Sequence, residues 1–417
     1  MTAISPPPLV DCEDVAWFRD QPEAARGAAA ALGRRIGLGE QRTAELVLAV
    51  AELATNITKH ATDGCLLLRV LRNQHVAGVE VVAVDSGPGM ADVPAALRDG
   101  MSTTGTLGIG LGAVRRLADT FDIHSQPNVG SVQLARFWPH PLDPSIAGEP
   151  AVGGITRPIG GEEVCGDAWA ARVDSGEQTP QAEDSEGTRP GLSSSVYPNW
   201  SDLTAPRPFG ERTHAAPQTS QTSNTSQTSN TSIRSGMRGR TVPVRSAVQG
   251  PGSGMLVMAC DGLGHGPMAA VAAQAAVQAF RTGSARTPEQ AVEQVHRALR
   301  GTRGAAVAVA RLEPDGRLLF CGVGNIAAAL VTTTTRASLL SHPGIAGHQM
   351  HQLRTYEHHL PTHGVLVMHS DGLSDRWTPA ILAGLLHQSP ALIAAALLRH
   401  AGTRRDDASA VIAKAAR

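Results

Sequence analysis

Residues 255–267 read MLVMACDGLGHGP, an apolar run that ends in an aspartate, three glycines and a histidine. An apolar run of this length followed by Asp-Gly predicts a buried strand that carries Asp261 at its end. The glycines that follow allow close approach to the backbone, so a metal ion or a phosphate can lie against the main chain. The segment therefore predicts a strand that ends at a functional site.

Three other segments place an aspartate beside an apolar run. They are GEEVCGDAW, in which we expect a strand to end at Asp167, GVLVMHSDGL with Asp371, and RRDDASAVIA with Asp406. For any one of them taken alone, a turn is the more frequent explanation. Four acids at strand ends, far apart in the chain, supply the hard oxygen ligands that Mg²⁺ and Mn²⁺ prefer. Together they predict a site for two metal ions.

In this order, GDAW, CDGLGHG, SDGL and RDDAS resemble the SpoIIE/RsbX-like branch of the metal-dependent (PPM-type) serine/threonine protein phosphatases, over roughly residues 153–417. The resemblance implies a β-sandwich flanked by helices and the following ligands for Mn²⁺ or Mg²⁺: Asp167, Asp261, Asp371, Asp406 and the carbonyl of Gly262. The metal pair would lower the pKa of the water that attacks the phosphoryl group. As a ligand of these metals, Asp261 would also be catalytic. Larger relatives have a histidine directly after Asp-Gly, whereas His265 comes two residues later. For His265, the roles of general acid and of loop hydrogen-bond partner both stay open.

Composition excludes several classes of function. A formal net charge of −1 over 417 residues is not typical of a protein that binds nucleic acid or another polyanion. An aromatic content of 3% disfavours recognition of single strands by stacking. The five cysteines show no C-x-x-C spacing, and the N-terminus has no basic start followed by an apolar segment. We therefore expect a cytoplasmic protein that binds neither nucleic acid nor a membrane.

The N-terminal part contains a helix with one polar face. Apolar residues recur at helical spacing within residues 43–61, at Leu46, Val50, Leu53, Ala54 and Ile57. Glu52 and Asn56 lie four residues apart, so their side chains are neighbours on one face of the helix. For such a face alone, a solvated surface is the more frequent explanation.

Two glycine-containing segments follow this helix. Residues 79–84 predict a strand that runs into DSGPGM, and residues 102–119 read STTGTLGIGLGAVRRLAD. Glycines that open a helix present free N–H groups and the positive end of the helix dipole to a phosphate. The absence of a Gly-Lys-Ser/Thr ending excludes a P-loop, and the glycines do not directly follow a strand, as a dinucleotide fingerprint requires.

ELATN, DSGPGM and GTLGIGLG together resemble the three ATP-binding boxes of the GHKL family, and their order is most similar to that of the RsbT/RsbW-type serine kinases. The resemblance implies an α/β sandwich with a mixed sheet layered by helices. In it, Asn56 would hold the Mg²⁺ of bound ATP, and Glu52 would be the catalytic base or orient a water. The resemblance assigns the adenine to Asp85, Gly87 and Gly89. It assigns the triphosphate to Gly105, Gly108, Gly110 and Gly112.

We therefore predict an α+β protein with an ATP-binding domain at 1–140, a linker at 141–153 and a phosphatase domain at 154–417. Residues 174–245 are polar and rich in Pro, Ser and Thr, so they cannot bury enough apolar surface to form a core. We predict them to be a disordered insertion in the phosphatase domain. Further predictions are helices at 268–282, 287–300 and 390–404, a Thr287/Gln290 capping box, and a hairpin of residues 305–312 and 317–323.

Two hypotheses for function follow from these resemblances. In the first, one chain carries both halves of a phosphorylation switch. The N-terminal domain phosphorylates a STAS-type antagonist protein, the C-terminal domain removes the phosphate, and a sigma factor or anti-sigma factor is a further partner. In the second, the N-terminal domain only binds ATP or a partner and thereby regulates the phosphatase.

Overall fold

The computed structural model describes residues 10–73, 76–98, 110–146, 148–160, 162–173 and 254–415. The predicted insertion at 174–245 lies outside the described residues, as do Gly105 and Gly108. The parts of the chain before and after the insertion form one compact unit. Its described strands make three five-stranded sheets.

The first sheet belongs to the N-terminal part, with strand order β1-β2-β3-β5-β4. Its strands are β1 (Asp11–Phe18), β2 (Cys65–Arg72), β3 (Ala77–Asp85), β4 (Thr120–Gln126) and β5 (Gly130–Phe137). The helices are α1 (Ala25–Arg35), α2 (Glu40–His60), α3 (Val93–Ala96) and α4 (Gly110–Leu117), and a 3₁₀ turn at Pro22–Ala24 precedes α1. The predicted apolar stripe of α2 is confirmed, since all five of its residues are buried in the core that α1, α2 and α4 form with this sheet.

The prediction of a mixed N-terminal sheet is wrong, because every pairing in it is antiparallel. The chain crosses from β3 through α3 and α4 to β4, and these two strands run in the same direction. The hairpin partner β5 lies between them and pairs with both. β5 thus separates β3 from β4, which would otherwise be able to pair in parallel.

The C-terminal part is a sandwich of two sheets, with strand orders β13-β10-β9-β8-β7 and β12-β11-β14-β15-β6. The strands are β6 (Val152–Arg157), β7 (Asp167–Val173), β8 (Met255–Gly262), β9 (Ala305–Leu312), β10 (Arg317–Val323), β11 (Ala327–Val331), β12 (Arg336–Leu339), β13 (Tyr356–His359), β14 (Val365–His369) and β15 (Ala408–Lys414). The inner faces of both sheets meet in one apolar core, which includes Val257, Phe320, Leu366 and Val411. The expected β-sandwich is therefore confirmed.

Helices flank this sandwich, as predicted: α5 (Pro267–Thr282), α6 (Pro288–Ala298) and α7 (Pro390–Ala401). The capping box at the start of α6 is confirmed, since Thr287 Oγ1 accepts from Gln290 N and Gln290 Oε1 accepts from Thr287 N. The predicted hairpin is β9 with β10. β6 starts at Val152, within the predicted linker, because Val152 pairs with Ala413 of β15.

Helix α7 lies in the core between the N-terminal sheet and the second sheet of the sandwich. It shares one apolar cluster with Val82 and Leu134 of the N-terminal sheet and with Val367 and Ile412 of the sandwich. A helix that is apolar on all sides requires such partners all round. The N-terminal and C-terminal parts therefore share a hydrophobic core. No described helix is both long enough and apolar enough to cross a membrane.

A buried ion network also joins the two parts. Arg69 on β2 is fully buried, and it lies 2.6 Å from Asp14 Oδ1 through Nε and 2.8 Å from Glu80 Oε1 through Nη1. Its Nη2 donates to the carbonyl of Gly154 on β6 at 2.6 Å. Glu80 also contacts Arg136, with Nε to Oε2 at 2.7 Å. Charges taken out of water need such partners on every side.

We expect Arg69→Met to destabilise the protein by about 3–5 kcal/mol, because Asp14 and Glu80 would lose their buried partner. The effect is measured as a lower midpoint of thermal unfolding. Arg317→Met is the matched control, since Arg317 also lies on a strand and pairs with a glutamate, Glu357, at 2.9 Å, but on the exposed surface. Exposed pairs add little to stability. Equal shifts for the two variants would contradict the importance of the buried network.

Candidate metal and nucleotide sites

Five aspartates meet at one edge of the sandwich. Asp167 lies directly opposite Asp261 in the pairing of β7 with β8. Asp371 follows the end of β14 by two residues, and Asp406 and Asp407 directly precede β15, the antiparallel neighbour of β14. The expectation that a strand ends at Asp167 is wrong, because β7 starts there. Since adjacent strands are antiparallel, the start of β7 and the end of β8 lie at the same edge.

The carboxylate of Asp167 is buried at this edge of the sandwich. Asp167 is 4% exposed. Among the described residues, no donor lies in hydrogen-bonding geometry to either of its carboxylate oxygens. Burial raises the pKa of Asp167; the nearby hydroxyls of Ser370 and Ser409 oppose the rise, and the charges of Asp407 and Asp371 add to it. An uncompensated buried carboxylate is expected where a cation completes the site.

Asp261 has the same electrostatic environment. Burial raises its pKa, and the negative charges of Asp167, Asp371, Asp406 and Asp407 raise it further. Like charges brought together oppose ionisation of each other. At this edge of the sandwich, the aspartates therefore oppose each other's ionisation, and a bound cation would relieve that repulsion.

The neighbouring aspartates 406 and 407 differ in their contacts. Asp407 is 3% exposed, and its two oxygens accept from the backbone N–H groups of Ile159 and Gly166, each at 2.7 Å. It thereby fastens the loop that leads to Asp167. Asp406 is half-buried, and its Oδ1 accepts from Asp407 N at 2.9 Å. The role of Asp407 was missed in the sequence, where the only signal is the Asp-Asp doublet.

Glycines after two of these acids permit close packing. A Cβ on Gly262 would lie 2.4 Å from the carbonyl oxygen of Ala269 in α5, and a Cβ on Gly372 would lie 1.9 Å from that of Asp407. Any side chain at either place would force the backbone apart. His265 lies at the surface, with Nδ1 3.5 Å from Glu162 Oε1.

The donor chemistry of this cluster fits Mg²⁺ or Mn²⁺, since hard oxygen ligands and uncompensated negative charge are what these ions require. The ligand geometry is not already formed, because no group of three His, Cys, Asp or Glu side chains in the described ranges lies at the spacing that would hold a metal ion. Asp371 Oδ2 instead accepts from Asn325 Nδ2 at 2.7 Å.

The second candidate site lies on the N-terminal part, beside α2 and the end of β3. Glu52 and Asn56 are half-buried and lie one turn apart on α2. Glu52 Oε2 accepts from the backbone N–H of Gly110, the first residue of α4, at 3.2 Å. The structure thus brings together residues of the first and third sequence boxes.

Asp85 ends β3 and is nearly buried, and its Oδ1 accepts from Gly87 N at 2.8 Å. Burial raises the pKa of Asp85. A Cβ on Gly87 would lie 2.8 Å from the carbonyl oxygen of His60, the last residue of α2. Gly89 has φ +65°, and a Cβ there would lie 2.2 Å from the carbonyl oxygen of Gln126. The loop after Asp85 is therefore packed backbone to backbone, which only glycine allows.

In α4, Gly110 has φ +70° and Gly112 is buried. Of the four glycines assigned to the triphosphate, these two are the ones within the described residues. The first N–H groups of a helix have no partner within the helix and can face a ligand.

Comparison with known proteins gives a match for each of the two parts of the chain. Residues 19–136 match the family model of the histidine kinase-like ATPase domain, and residues 251–416 match that of stage II sporulation protein E (SpoIIE). The chain is 34% identical over 115 residues to serine/threonine-protein kinase RsbT of Bacillus subtilis (strain 168), covering 28% of this chain and 86% of that protein. Through its N-terminal part, this chain belongs to the histidine kinase-like ATPase family. Its N-terminal part is the ATPase domain, and its C-terminal part is the SpoIIE domain.

Solved structures show weaker likeness. A chain from a study of the bacterial stressosome is 22% identical, with 63% of this chain and 98% of that chain covered and a TM-score of 0.41. RsbX in complex with magnesium is 14% identical, with 63% and 92% covered and a TM-score of 0.40. The phosphatase domain of SpoIIE from Bacillus subtilis, with a fragment of its regulatory domain, is 11% identical, with 93% and 94% covered and a TM-score of 0.38. Family membership therefore rests on the sequence matches.

The match to the SpoIIE family starts after the insertion, so it leaves out β6 and β7. Both strands nevertheless belong to the sandwich of the SpoIIE domain, since β7 pairs with β8 and β6 pairs with β15. Asp167 therefore reaches the carboxylate cluster through tertiary pairing.

Proposed function

We propose that the SpoIIE domain is a metal-dependent phosphatase that removes phosphate from serine or threonine residues of a protein, and that the ATPase domain phosphorylates the same kind of protein from Mg-ATP. The target we propose is a STAS-domain antagonist, with a sigma factor or anti-sigma factor as a further partner. The proposal rests on the meeting of Asp167, Asp261, Asp371 and Asp406 at one edge of the sandwich. The test is Mn²⁺-dependent release of phosphate from a phosphorylated STAS-domain protein, with Asp371→Ala as the inactive comparison.

In the SpoIIE domain, the residues that would hold Mn²⁺ or Mg²⁺ are the four aspartates just named and the carbonyl of Gly262. When bound, such ions lower the pKa of a bound water and offset the charge of the phosphoryl group. The chain itself orients the acids: β7 and β8 hold Asp167 against Asp261, and Asp407 fastens the loop before Asp167. Arg303 is exposed, and its Nη1 lies 3.1 Å from where a Cβ on Gly264 would be, so it would add a positive charge beside this loop for an anionic substrate.

We expect the affinity for Mn²⁺ to increase with pH above the ordinary carboxylate range near 4. The pKa values of Asp167 and Asp261 are raised by burial and by their neighbours, so both acids retain protons at pH values where exposed carboxylates are ionised. A bound proton must leave before the oxygen can bind the ion, so protonation opposes metal binding. Mn²⁺ titrations followed by electron paramagnetic resonance at pH 6 and pH 8 measure this difference. Equal affinities at the two pH values would contradict the assignment of these acids as ligands.

In the ATPase domain, Asn56 would hold the Mg²⁺ of bound Mg-ATP, Asp85 with Gly87 and Gly89 would bind the adenine, and Glu52 would act as base. The likeness to RsbT, which is named a serine/threonine-protein kinase, supports this assignment. Glu52 Oε2 accepts from Gly110 N, an N–H group at the start of α4 where a phosphate would bind. If a phosphate accepted the hydrogen bond from this N–H group instead, the Glu52 carboxylate would be able to accept the proton of the substrate hydroxyl.

A second candidate function is that the ATPase domain only binds ATP or a partner and regulates the SpoIIE domain. The contacts of α7 favour it. Arg399 on α7 donates to the backbone carbonyl of Asp85 at 3.4 Å. Just after α7, Thr403 N donates to the carbonyl of Gly372, next to Asp371, at 2.7 Å. One helix thus contacts the proposed adenine site and leads to the proposed metal site.

A further inference from the structure

Asn325 contacts one of the clustered aspartates from outside the cluster. It lies between β10 and β11, and its Nδ2 donates to Asp371 Oδ2 at 2.7 Å. We propose that Asn325 is a positioning residue for the metal site. Its amide holds one oxygen of Asp371 and thereby fixes the orientation of that carboxylate. This proposal rests on the proposed function, in which Asp371 is a metal ligand.

The two residues lie just beyond the same end of one strand pairing. β11 and β14 are antiparallel, and their pairing ends with Ala327 opposite His369. Asn325 lies two residues before Ala327, and Asp371 lies two residues after His369. Both residues are thus the same number of positions beyond the last pair, which brings the two segments close enough for their side chains to contact each other. The hydrogen bond therefore follows from the backbone pairing of the second sheet.

The turn that carries Asn325 is also held against the first sheet. Gly324 has φ +93°, and a Cβ there would lie 2.5 Å from the Cβ of Ala306. Ala306 is the partner of Asp261 in the pairing of β8 with β9. Gly324 N also donates to the carbonyl of His342 at 2.9 Å. The residue before Asn325 is therefore packed against the strand neighbour of Asp261, while Asn325 itself contacts Asp371.

The chemistry of the amide suits this position. An asparagine donates a hydrogen bond to a carboxylate without adding a negative charge to a site that already holds five acids. Hydrogen bonds to the outer oxygen of a ligating carboxylate orient it, and their loss lowers metal affinity about 10–100-fold. Because Asn325 is itself exposed, its replacement removes no buried packing.

The test is a Mn²⁺ titration of the full chain followed by electron paramagnetic resonance, with the wild type, Asn325→Ala, Asn325→Gln and Asp371→Ala. We expect Asn325→Ala to bind Mn²⁺ about 10–100-fold more weakly than the wild type. Asn325→Gln keeps the amide donor and is expected to lose less affinity than Asn325→Ala. Asn73→Ala is the matched control, since Asn73 also makes a side-chain hydrogen bond in a turn, from Val76 N at 2.9 Å, but in the ATPase domain.

The outcomes separate the two proposals. Wild-type affinity in Asn325→Ala, together with weak binding in Asp371→Ala, would overturn the role of Asn325 and leave the metal site in place. Wild-type affinity in Asp371→Ala would overturn the metal assignment and this inference with it. An equal loss in Asn325→Gln and Asn325→Ala would also contradict the inference, because it would show that the amide donor is not what matters.

Discussion

The Asp371→Ala variant is expected to lose Mn²⁺-dependent release of phosphate from a phosphorylated STAS-domain protein, with kcat/KM lower by at least about 1000-fold. Asp371 lies beside Asp261 and Asp406, whose charges interact with it. Without this carboxylate, the site loses a ligand and part of the charge that attracts the ion. The chemistry that lowers the pKa of water depends on that ion.

Asp315→Ala is the matched control for this loss. Asp315 also precedes a glycine and follows an apolar strand, but it lies in the β9–β10 turn, where its Oδ1 accepts from Arg317 N at 2.9 Å. We expect this variant to retain the activity of the wild type. Full activity in Asp371→Ala would contradict the proposed site. A similar loss in both variants would show that the effect does not come from the carboxylate cluster.

The second large effect is expected in the ATPase domain. In the Asp371→Ala background, which cannot remove the product, the protein is expected to transfer phosphate from γ-labelled ATP to a STAS-domain protein encoded beside its gene. Adding Asn56→Ala is expected to lower this transfer by at least about 100-fold, because Mg²⁺ neutralises and positions the phosphates in phosphoryl transfer. The measurement is the label on the partner protein with time.

Thr55→Ala in the same background is the control, because Thr55 neighbours Asn56 on α2, is exposed and donates to the Ala51 carbonyl of its own helix. It is expected to transfer phosphate at the rate of the background protein. ATP binding without any label in the Asp371→Ala protein would contradict kinase activity. That result would favour the second candidate, which then predicts that ATP changes the rate of phosphate release by the wild type.

Local patterns in the sequence predicted much of the fold. The apolar stripe of α2, the capping box of Thr287 and Gln290 and the β9–β10 hairpin all appear as predicted. Each depends on residues within a few turns or within one hairpin. Helical period, caps and turn residues are short-range properties, so they are present in the order of the residues themselves.

Long-range features were harder to predict. The sequence located Asp167 but placed it at the wrong end of its strand. The resemblance to the GHKL family implied a mixed sheet, whereas β5 pairs antiparallel with both of its neighbours. It also missed Asp407, whose partners Ile159 and Gly166 lie more than 240 residues away. Nothing in the local pattern around Asp407 encodes those partners.

By itself, the sequence therefore determined which residue types the chain supplies: acids beside apolar runs, glycines after them, and the polar face of α2. Only the tertiary structure decided which of these residues meet. It set Asp167 opposite Asp261, brought Asn325 to Asp371, and buried α7 between the ATPase and SpoIIE domains. The physical reason is that periodicity and capping act over a few residues, whereas strand register and shared cores depend on packing between segments far apart in the chain.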